Sequence, residues 1–457
     1  MRIEKGKPVH CTETSTGKGL TGNLLISEES LQLQLFSFKD SFHIKTDGPV
    51  HLLAETGEWV SLHDCIEGGS GTRNGYHETI TTQDIIANAA VIGPDPWAEA
   101  DRVKRVSFSV KHTMQLMRSR RHMDSIGQER YPGEEHLTLF TDKARGMTVG
   151  ARYSGIWGMD FHTPKELWPV FDIEFDEPQD IHNYIEHVKN YVDFLSFCLG
   201  VPLKPTEISI SQFSLVEIIR AIEQKTYRSS HEVHYVWPES EIDPHDLWVG
   251  GSPVRAFDEE ELSAFKACLI AWMDRADVWR KPYVMMMSSL KRKGEISAER
   301  LISACRWFEE LPNAQSENAL SAEDAEAIVS AAVSKAEQLG QANLGDRIAA
   351  SISKIKEETA AEKFTRLTAL VKAKFGKGIL PENAVSHLRK AIQFRGRTAH
   401  GHFNPASEEE YRAFSKATRA MEALCILLTA VDLPIPEVGI RRVGSNPTVR
   451  DYHAAYE

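Results

Sequence analysis

Residues 407–432, SEEEYRAFSKATRAMEALCILLTAVD, contain the clearest structural pattern in the chain. Ser407, followed by Glu410 three residues later, matches the capping box that begins many helices. Behind this start, one set of mostly apolar residues recurs at steps of three and four: Tyr411, Phe414, Thr418, Met421, Cys425 and Leu428. The pattern predicts a long amphipathic helix that packs in a bundle.

Most of the chain before this helix, back to about residue 258, has the same helical periodicity. The predicted helices cover residues 258–281, 295–311, 321–339, 344–375, 381–395 and 407–432. The segment after Pro434 contains prolines and glycine without periodicity, so we expect it to lie over the surface.

The first 240 residues have a different period, in which apolar and polar residues alternate. Such alternation indicates strands with one buried face, and it occurs at residues 31–35, 106–110, 171–175 and 208–211. The turn formers of GGSGTRNG (68–75) are predicted to separate strands. One helix interrupts the pattern, because apolar residues recur at helical spacing from Ile181 to Leu199, and Gly200 then ends the repeat before a strand near Ile208.

These patterns predict an α+β protein with a β-rich N-terminal domain and a C-terminal all-helical bundle. A length of 457 residues is enough for two or three domains. Turn formers at 237–246 and 250–253 mark the boundary. We therefore predict a β-rich domain at 1–245, a helical domain at 255–433 and a C-terminal tail at 434–457.

The composition excludes several classes of protein. With 42% hydrophobic and 26% charged residues, the chain is neither collagen-like nor disordered. A formal charge of −12 argues against non-specific coating of nucleic acid, so RNA contact requires a local basic patch, and the densest basic run lies at 104–121. The six cysteines form no C-x-x-C pair, and no metal or cofactor motif is evident. Without a signal-like or membrane-spanning segment, the protein is predicted to be cytoplasmic.

The candidate site lies in AIQFRGRTAHGHFNP, residues 391–405, between the last two predicted helices. Arg395 precedes His400, and Arg397 precedes His402, in two overlapping R-x4-H patterns. The spacing alone is weak, because it also arises by chance in a chain with 18 histidines. Its position at the end of a helix makes it more informative.

Arg395 continues the apolar stripe of the preceding helix, which is formed by Val385, Leu388 and Ile392. A guanidinium at a position that calls for a core or interface residue needs an anionic partner or a functional reason. In a continuous helix His400 would not share a face with Arg395. Gly396 and Gly401 allow the helix to end and the chain to turn, which could bring the two side chains together.

An arginine and a histidine suit metal-independent cleavage of RNA. An imidazole can accept the 2′-OH proton or protonate the leaving 5′-oxygen, and a guanidinium stabilises charge that develops on the phosphate. The other interpretation is that Arg395 pairs with a structural carboxylate while His400 and His402 lie in an ordinary turn.

The late helix, the R-x4-H pattern, the short turn and the long final helix resemble the HEPN ribonuclease domain. The β-rich half, including GNLLISEESLQLQLFSF (22–38) and the helix-into-strand segment near 184–210, resembles the ApeA-type abortive-infection proteins of antiphage defence. The resemblance implies that Arg395 and His400 are catalytic and line a cleft between two protomers. The family usually has Asn, Asp or His directly after the arginine, whereas this chain has Gly396. Arg397 and His402 therefore remain a second register or accessory residues.

The resemblance also implies the partners and the reaction. The expected function is a metal-independent endoribonuclease in abortive infection, with tRNA as its substrate and no cofactor. The expected partners are RNA, a phage-derived trigger that could be a protein, and a second copy of the chain in a homodimer or higher oligomer; no membrane partner is expected. The alternative function is a catalytically silent helical module that binds a protein partner.

Overall fold

The computed structural model describes most of the chain. The described residues are 3–38, 42–74, 79–128, 133–157, 164–226, 230–237, 252–291, 296–318, 320–352, 357–399, 405 and 407–456. The chain divides into two compact units. The first unit comprises residues 1–195, 203–243 and 256–274, and the second comprises residues 196–202, 244–255 and 275–457.

The first unit is built on one antiparallel sheet, which has 14 strands in the described ranges. The strands are β1 Pro8–Glu13, β2 Thr21–Ile26, β3 Leu31–Ser37, β4 Val50–Ala54, β5 Trp59–His63, β6 Ile66–Asn74, β7 Thr79–Ala87, β8 Ala89–Gly93, β9 Val103–Val110, β10 Thr138–Ala144, β11 Met147–Trp157, β12 Pro164–Gln179, β13 Pro205–Ser211 and β14 His231–Tyr235. Their order across the sheet is β10-β11-β12-β9-β13-β14-β8-β5-β4-β1-β2-β3-β7-β6.

The predicted alternation matches the burial of the strands. In β3 the leucines are buried and the glutamines between them are exposed, because successive side chains of a strand point to opposite faces. The buried faces of β1 to β5, β7 and β8 contribute to one hydrophobic cluster. The glycine-rich segment 68–74 was predicted as a turn, but it belongs to β6. β6 is the last strand in the sheet order and its side chains 67–73 are exposed, so backbone pairing with β7 forms it without the apolar pattern of a core strand.

Among the residues described in the first unit, the α-helices are α1 Arg120–Gln128, α2 Glu134–Leu137, α3 Tyr184–Leu199, α4 Leu215–Glu223 and α5 Glu259–Asp274. The last four residues of α3 belong to the second unit. The predicted helix-into-strand segment is confirmed, because Gly200 (φ +70°) follows α3 and β13 begins at Pro205. The ring of Phe265 in α5 packs against Phe194 of α3 at 5.2 Å between centroids.

The second unit is helical. Its described helices are α6 Ala276–Lys291, α7 Ala298–Glu310, α8 Ala322–Gln338, α9 Gly345–Ile352, α10 Ala360–Phe375, α11 Ala384–Ala399, α12 Glu408–Val431, α13 Glu437–Val443 and α14 Pro447–Tyr456. The helix predicted at 258–281 is two helices, α5 and α6, separated at Arg275. Both are amphipathic, so the apolar repeat did not reveal the break. The helix predicted at 344–375 is likewise α9 and α10, with residues 353–356 outside the described ranges.

The segment after Pro434 does not lie over the surface as predicted. It contains α13 and α14, and its apolar side chains Val443, Val449 and Tyr452 are buried. These helices have seven and ten residues, which is too short for a periodic pattern to stand out.

The fold class is confirmed: a β-rich N-terminal region precedes a helical C-terminal region. The functional domain boundaries at 1–245, 255–433 and 434–457 stay a prediction. No helix in the described part of the chain is both long enough and apolar enough to cross a membrane.

Candidate active site

The face that α11 buries determines where Arg395 lies. The fully buried positions of α11 are Ala384, His387, Leu388, Ala391 and Phe394. Arg395 lies beside this row, together with the half-buried residues Val385 and Ile392, and its side chain remains 34% exposed. The arginine is therefore at the edge of the packed face and not within the core. A guanidinium at such an edge keeps contact with water and can reach a solvent-borne anion.

Gly396 does not end the helix, although the sequence allowed it to. α11 continues through Gly396 to Ala399, and the glycine lacks the positive φ that would mark a turn. The helical hydrogen bonding of a sixteen-residue segment prevails over the conformational freedom of one glycine, whose cost is about 1 kcal/mol. His400, Gly401 and His402 lie outside the described residues.

Arg395 forms a two-pronged ion pair with Glu309 of α7. One guanidinium nitrogen donates to Oε1, and Nη2 donates to Oε2 at 3.0 Å. The Glu309 side chain is 48% exposed. A forked pair of this kind has the geometry in which arginine also binds phosphate. Glu309 thus occupies the donors with which an arginine can also bind a phosphate, and sequence reasoning did not identify this glutamate.

Arg397 forms the corresponding contact on the other side of the helix end. Its Nη1 donates to Oε1 of Glu410 at 2.6 Å. Glu410 lies in the first turn of α12, and its backbone N–H donates to the N-cap Ser407 at 3.1 Å, as the capping pattern predicted. The rings of Phe394 and Phe414 pack edge to face at 5.6 Å. This ion pair and this aromatic contact join the end of α11 to the start of α12.

Burial disfavours the charged forms of a thiol and an imidazole in the same helices. Burial raises the pKa of the Cys305 thiol to about 12, with smaller opposing effects of Arg395 and Glu309. Burial also lowers the pKa of His387, and Lys416 and Lys390 lower it further. The His387 ring is buried in the core, where Nδ1 lies 2.9 Å from the Tyr452 hydroxyl.

A buried ion pair lies deeper in the helical unit. Nε and Nη2 of Arg300 in α7 each donate to Glu422 of α12 at 2.8 Å, and the Ser289 hydroxyl of α6 donates to the same carboxylate at 3.1 Å. Only 5% and 2% of the two charged side chains are exposed. The pair joins three helices and is closed to solvent, so we assign it a structural role.

The basic run at 104–121 does not form one surface. Arg105 is buried and pairs with Asp172 at 2.6 Å, whereas Lys104 points to the other face of β9, as strand geometry requires. Further on, Arg120 stacks on Phe257 at 4.4 Å, and Arg121 pairs with Glu259 at 2.8 Å. These side chains have separate partners, and contact between the run and RNA stays a prediction.

Within the described ranges, no three His, Cys, Asp or Glu side chains are grouped so that they could hold a metal ion.

The fold described above is that of an α+β protein in which a large antiparallel sheet precedes a helical region. Its N-terminal part is more specific, because residues 14–214 match the family described as ApeA N-terminal domain 1. This match supports the resemblance to the ApeA-like family of antiphage defence proteins that the sequence predicted. The match ends before the helical region that carries Arg395. No curated protein and no solved structure matches the chain.

Proposed function

We propose that this ApeA-type protein is a metal-independent endoribonuclease of the HEPN kind, and that tRNA is its substrate in abortive infection. One observation carries the proposal most. The Arg395 guanidinium lies at the partly exposed edge of α11, five positions before His400 in the sequence. The family match supports a role in defence.

In the proposed reaction, neutral His400 accepts the proton of a ribose 2′-OH, and the 2′-oxygen attacks the adjacent phosphorus. The P–O5′ bond breaks, and the leaving 5′-oxygen takes a proton from the His400 imidazolium that the first step formed. The products are a 2′,3′-cyclic phosphate and a 5′-hydroxyl, and DNA is resistant because it lacks the nucleophile. Arg395 stabilises the added negative charge of the phosphorane-like transition state, and Arg397 and His402 are accessory groups or the second register.

We further propose that two copies of the chain form the cleft. Pairing around a two-fold axis would bring two arginines together, and it would create positive potential that a chain with a charge of −12 otherwise lacks for holding RNA. Mixing Arg395→Ala with His400→Ala protomers tests this arrangement. Partial recovery of cleavage supports a shared site, and a mixture without activity contradicts it.

The N-terminal unit is proposed to sense infection. Its match to ApeA N-terminal domain 1 supports a place in antiphage defence. The proposed trigger is a phage-derived molecule, such as a protein. Binding of the trigger would release cleavage by the helical unit.

A catalytically silent binding module is the second candidate. It is favoured by the engagement of both arginines with carboxylates of the same chain, Arg395 with Glu309 and Arg397 with Glu410. Such pairs are common on protein surfaces without any catalytic role.

Induced expression during phage challenge separates the two functions. The proposed enzyme gives discrete tRNA fragments on an RNA gel, and His400→Ala abolishes them without loss of folded protein. Arg389→Ala is the matched control, because Arg389 is an exposed arginine on the same helix, and it should leave the fragments unchanged. Unchanged RNA in cells that the wild-type protein protects would support the binding module. If only His402→Ala abolished the tRNA fragments, the catalytic pair would be Arg397 and His402.

A further inference from the structure

A cavity of about 300 Å³ lies in the first unit where three neighbouring strands end. β9 ends at Val110, which pairs with Pro205 at the start of β13, and β14 ends two residues after Val233, which pairs with Ile208 of β13. Because neighbouring strands are antiparallel, the end of β9, the start of β13 and the end of β14 lie side by side at one end of these strands. The volume is at the small end of ligand pockets, which measure roughly 300–1,000 Å³.

Three lysines from distant parts of the sequence line this cavity. Lys111 follows β9, Lys204 precedes β13, and Lys5 precedes β1. Glu28, in the turn between β2 and β3, pairs with Lys204 at 2.8 Å. The pKa of Glu28 is lowered, chiefly by its hydrogen bond and charge interaction with Lys204 and also by Lys111 and Lys5. Lys204 is thus paired with this carboxylate, and Lys5 and Lys111 line the same cavity.

The charge balance of the lining favours an anion. The three lysines face two lining glutamates, Glu28 and Glu207, whereas the whole chain carries 53 basic against 65 acidic residues. Lys5 and Lys111 are exposed, so their ammonium groups are accessible to a ligand. A local positive excess in an acidic protein concentrates anions at that point.

An aromatic pair forms another wall of the cavity. The rings of Tyr235 and Trp237 lie 5.3 Å apart between centroids, at 60° to each other. Lys189, which also pairs with Glu186 at 3.4 Å, lies over the Tyr235 ring at 5.4 Å. Tyrosine and tryptophan faces stack with planar bases, and every nucleobase presents such a face.

We propose that this pocket, the β9–β13–β14 pocket, binds a mononucleotide group, with the base against Trp237 and Tyr235 and the phosphate at Lys5, Lys111 and Lys204. The small volume suits one nucleotide and not a longer strand. The group could be a free nucleotide or the 5′-terminal nucleotide of an RNA, since both present the same chemistry. The proposal does not depend on Arg395 or on RNA cleavage.

Isothermal titration calorimetry with the full chain tests the pocket. The probes are AMP, adenosine and inorganic phosphate, together with a short oligoribonucleotide that carries either a 5′-phosphate or a 5′-hydroxyl. Binding of AMP should be tighter than binding of adenosine or phosphate alone. Lys111→Ala should weaken it about 2- to 5-fold, as expected for one partly solvated ion pair. Trp237→Ala should weaken it about 5- to 100-fold through lost stacking.

Controls keep the result interpretable. Lys18→Ala removes an exposed lysine outside the pocket and should leave affinity unchanged. Lys5→Ala, also at an exposed side chain, supplies a second test if Trp237→Ala fails to fold. Binding of AMP supports a free nucleotide as the ligand, and binding of only the 5′-phosphorylated oligonucleotide supports an RNA end. No binding of either, or inorganic phosphate binding as tightly as AMP, overturns the proposal.

Discussion

Replacing Glu309 by Gln should increase the affinity for RNA if Arg395 binds the phosphodiester. The substitution removes the anion that occupies the arginine fork in the free protein and keeps a side chain of nearly the same shape. RNA binding to the wild-type chain must displace this carboxylate, so part of the binding free energy is lost in breaking the pair. In the variant that loss is largely absent.

The structure sets the size of the effect. With 34% and 48% of the two side chains exposed, the pair belongs to the partly solvated class, which contributes about 0.5–1 kcal/mol. Since 1.4 kcal/mol corresponds to a tenfold change in Kd, the affinity should rise about 2- to 5-fold. The free energy of unfolding should fall by no more than about 1 kcal/mol.

The assay is fluorescence anisotropy with a tRNA that is 2′-O-methylated throughout, so that binding is measured without cleavage. Glu310→Gln is the matched control, because it removes the same charge from the next residue of α7, where Glu310 pairs with Lys281 at 3.6 Å. It should change the affinity less than Glu309→Gln. Glu410→Gln releases Arg397 and tests the second register. Unchanged or weaker binding by Glu309→Gln refutes the role of Arg395, and a larger gain in Glu410→Gln assigns the phosphate to Arg397.

Three further predictions concern stability, each measured by urea unfolding. Glu422→Gln should lower the free energy of unfolding by about 3–5 kcal/mol, because it leaves the buried Arg300 without its counter-charge; a cost below about 1 kcal/mol contradicts this. Gly396→Ala should raise it by about 0.5–1 kcal/mol, since Gly396 is helical and a Cβ there meets nothing within 4 Å; a loss would show that the helix is strained there. Burial lowers the pKa of His63 from 6.5 to about 4. The contribution of the neutral ring to the free energy of unfolding is therefore complete above pH 6.5 and is lost as the pH falls toward 4. At pH 5 this loss is roughly 2 kcal/mol. His63→Gln should reduce the difference in the free energy of unfolding between pH 7 and pH 5 by this amount. An unchanged difference would show that His63 does not cause the loss of stability.

The fold was predictable where burial repeats along the sequence. The strands of the first unit and the helix at Tyr184–Leu199 followed from apolar periods of two and of three to four residues. Strand β6 was not predicted, because its glycines and polar side chains are exposed and only its backbone pairing with β7 defines it. Helix α14 was not predicted, because its ten residues form too few turns for an apolar repeat to be recognised.

The candidate site was predictable only in part. The sequence identified Arg395 and its position on a helix, but it placed the arginine on the apolar stripe, whereas it lies at the edge of that stripe. Glu309 could not be found from sequence, because the contact spans 86 positions and depends on how α7 and α11 pack. The same reason applies to the buried pair of Arg300 and Glu422, which are 122 positions apart. Long-range pairing between charged side chains leaves no local pattern.

The chemistry of the RNA ends tests the central claim most directly. RNA from phage-challenged cells that produce the wild-type chain or His400→Ala is mapped for its 5′ and 3′ end groups. The proposed mechanism predicts wild-type fragments with 5′-hydroxyl and 2′,3′-cyclic phosphate ends, and none of these fragments with His400→Ala. Fragments with 5′-phosphate ends, or the same fragments from His400→Ala, would contradict it.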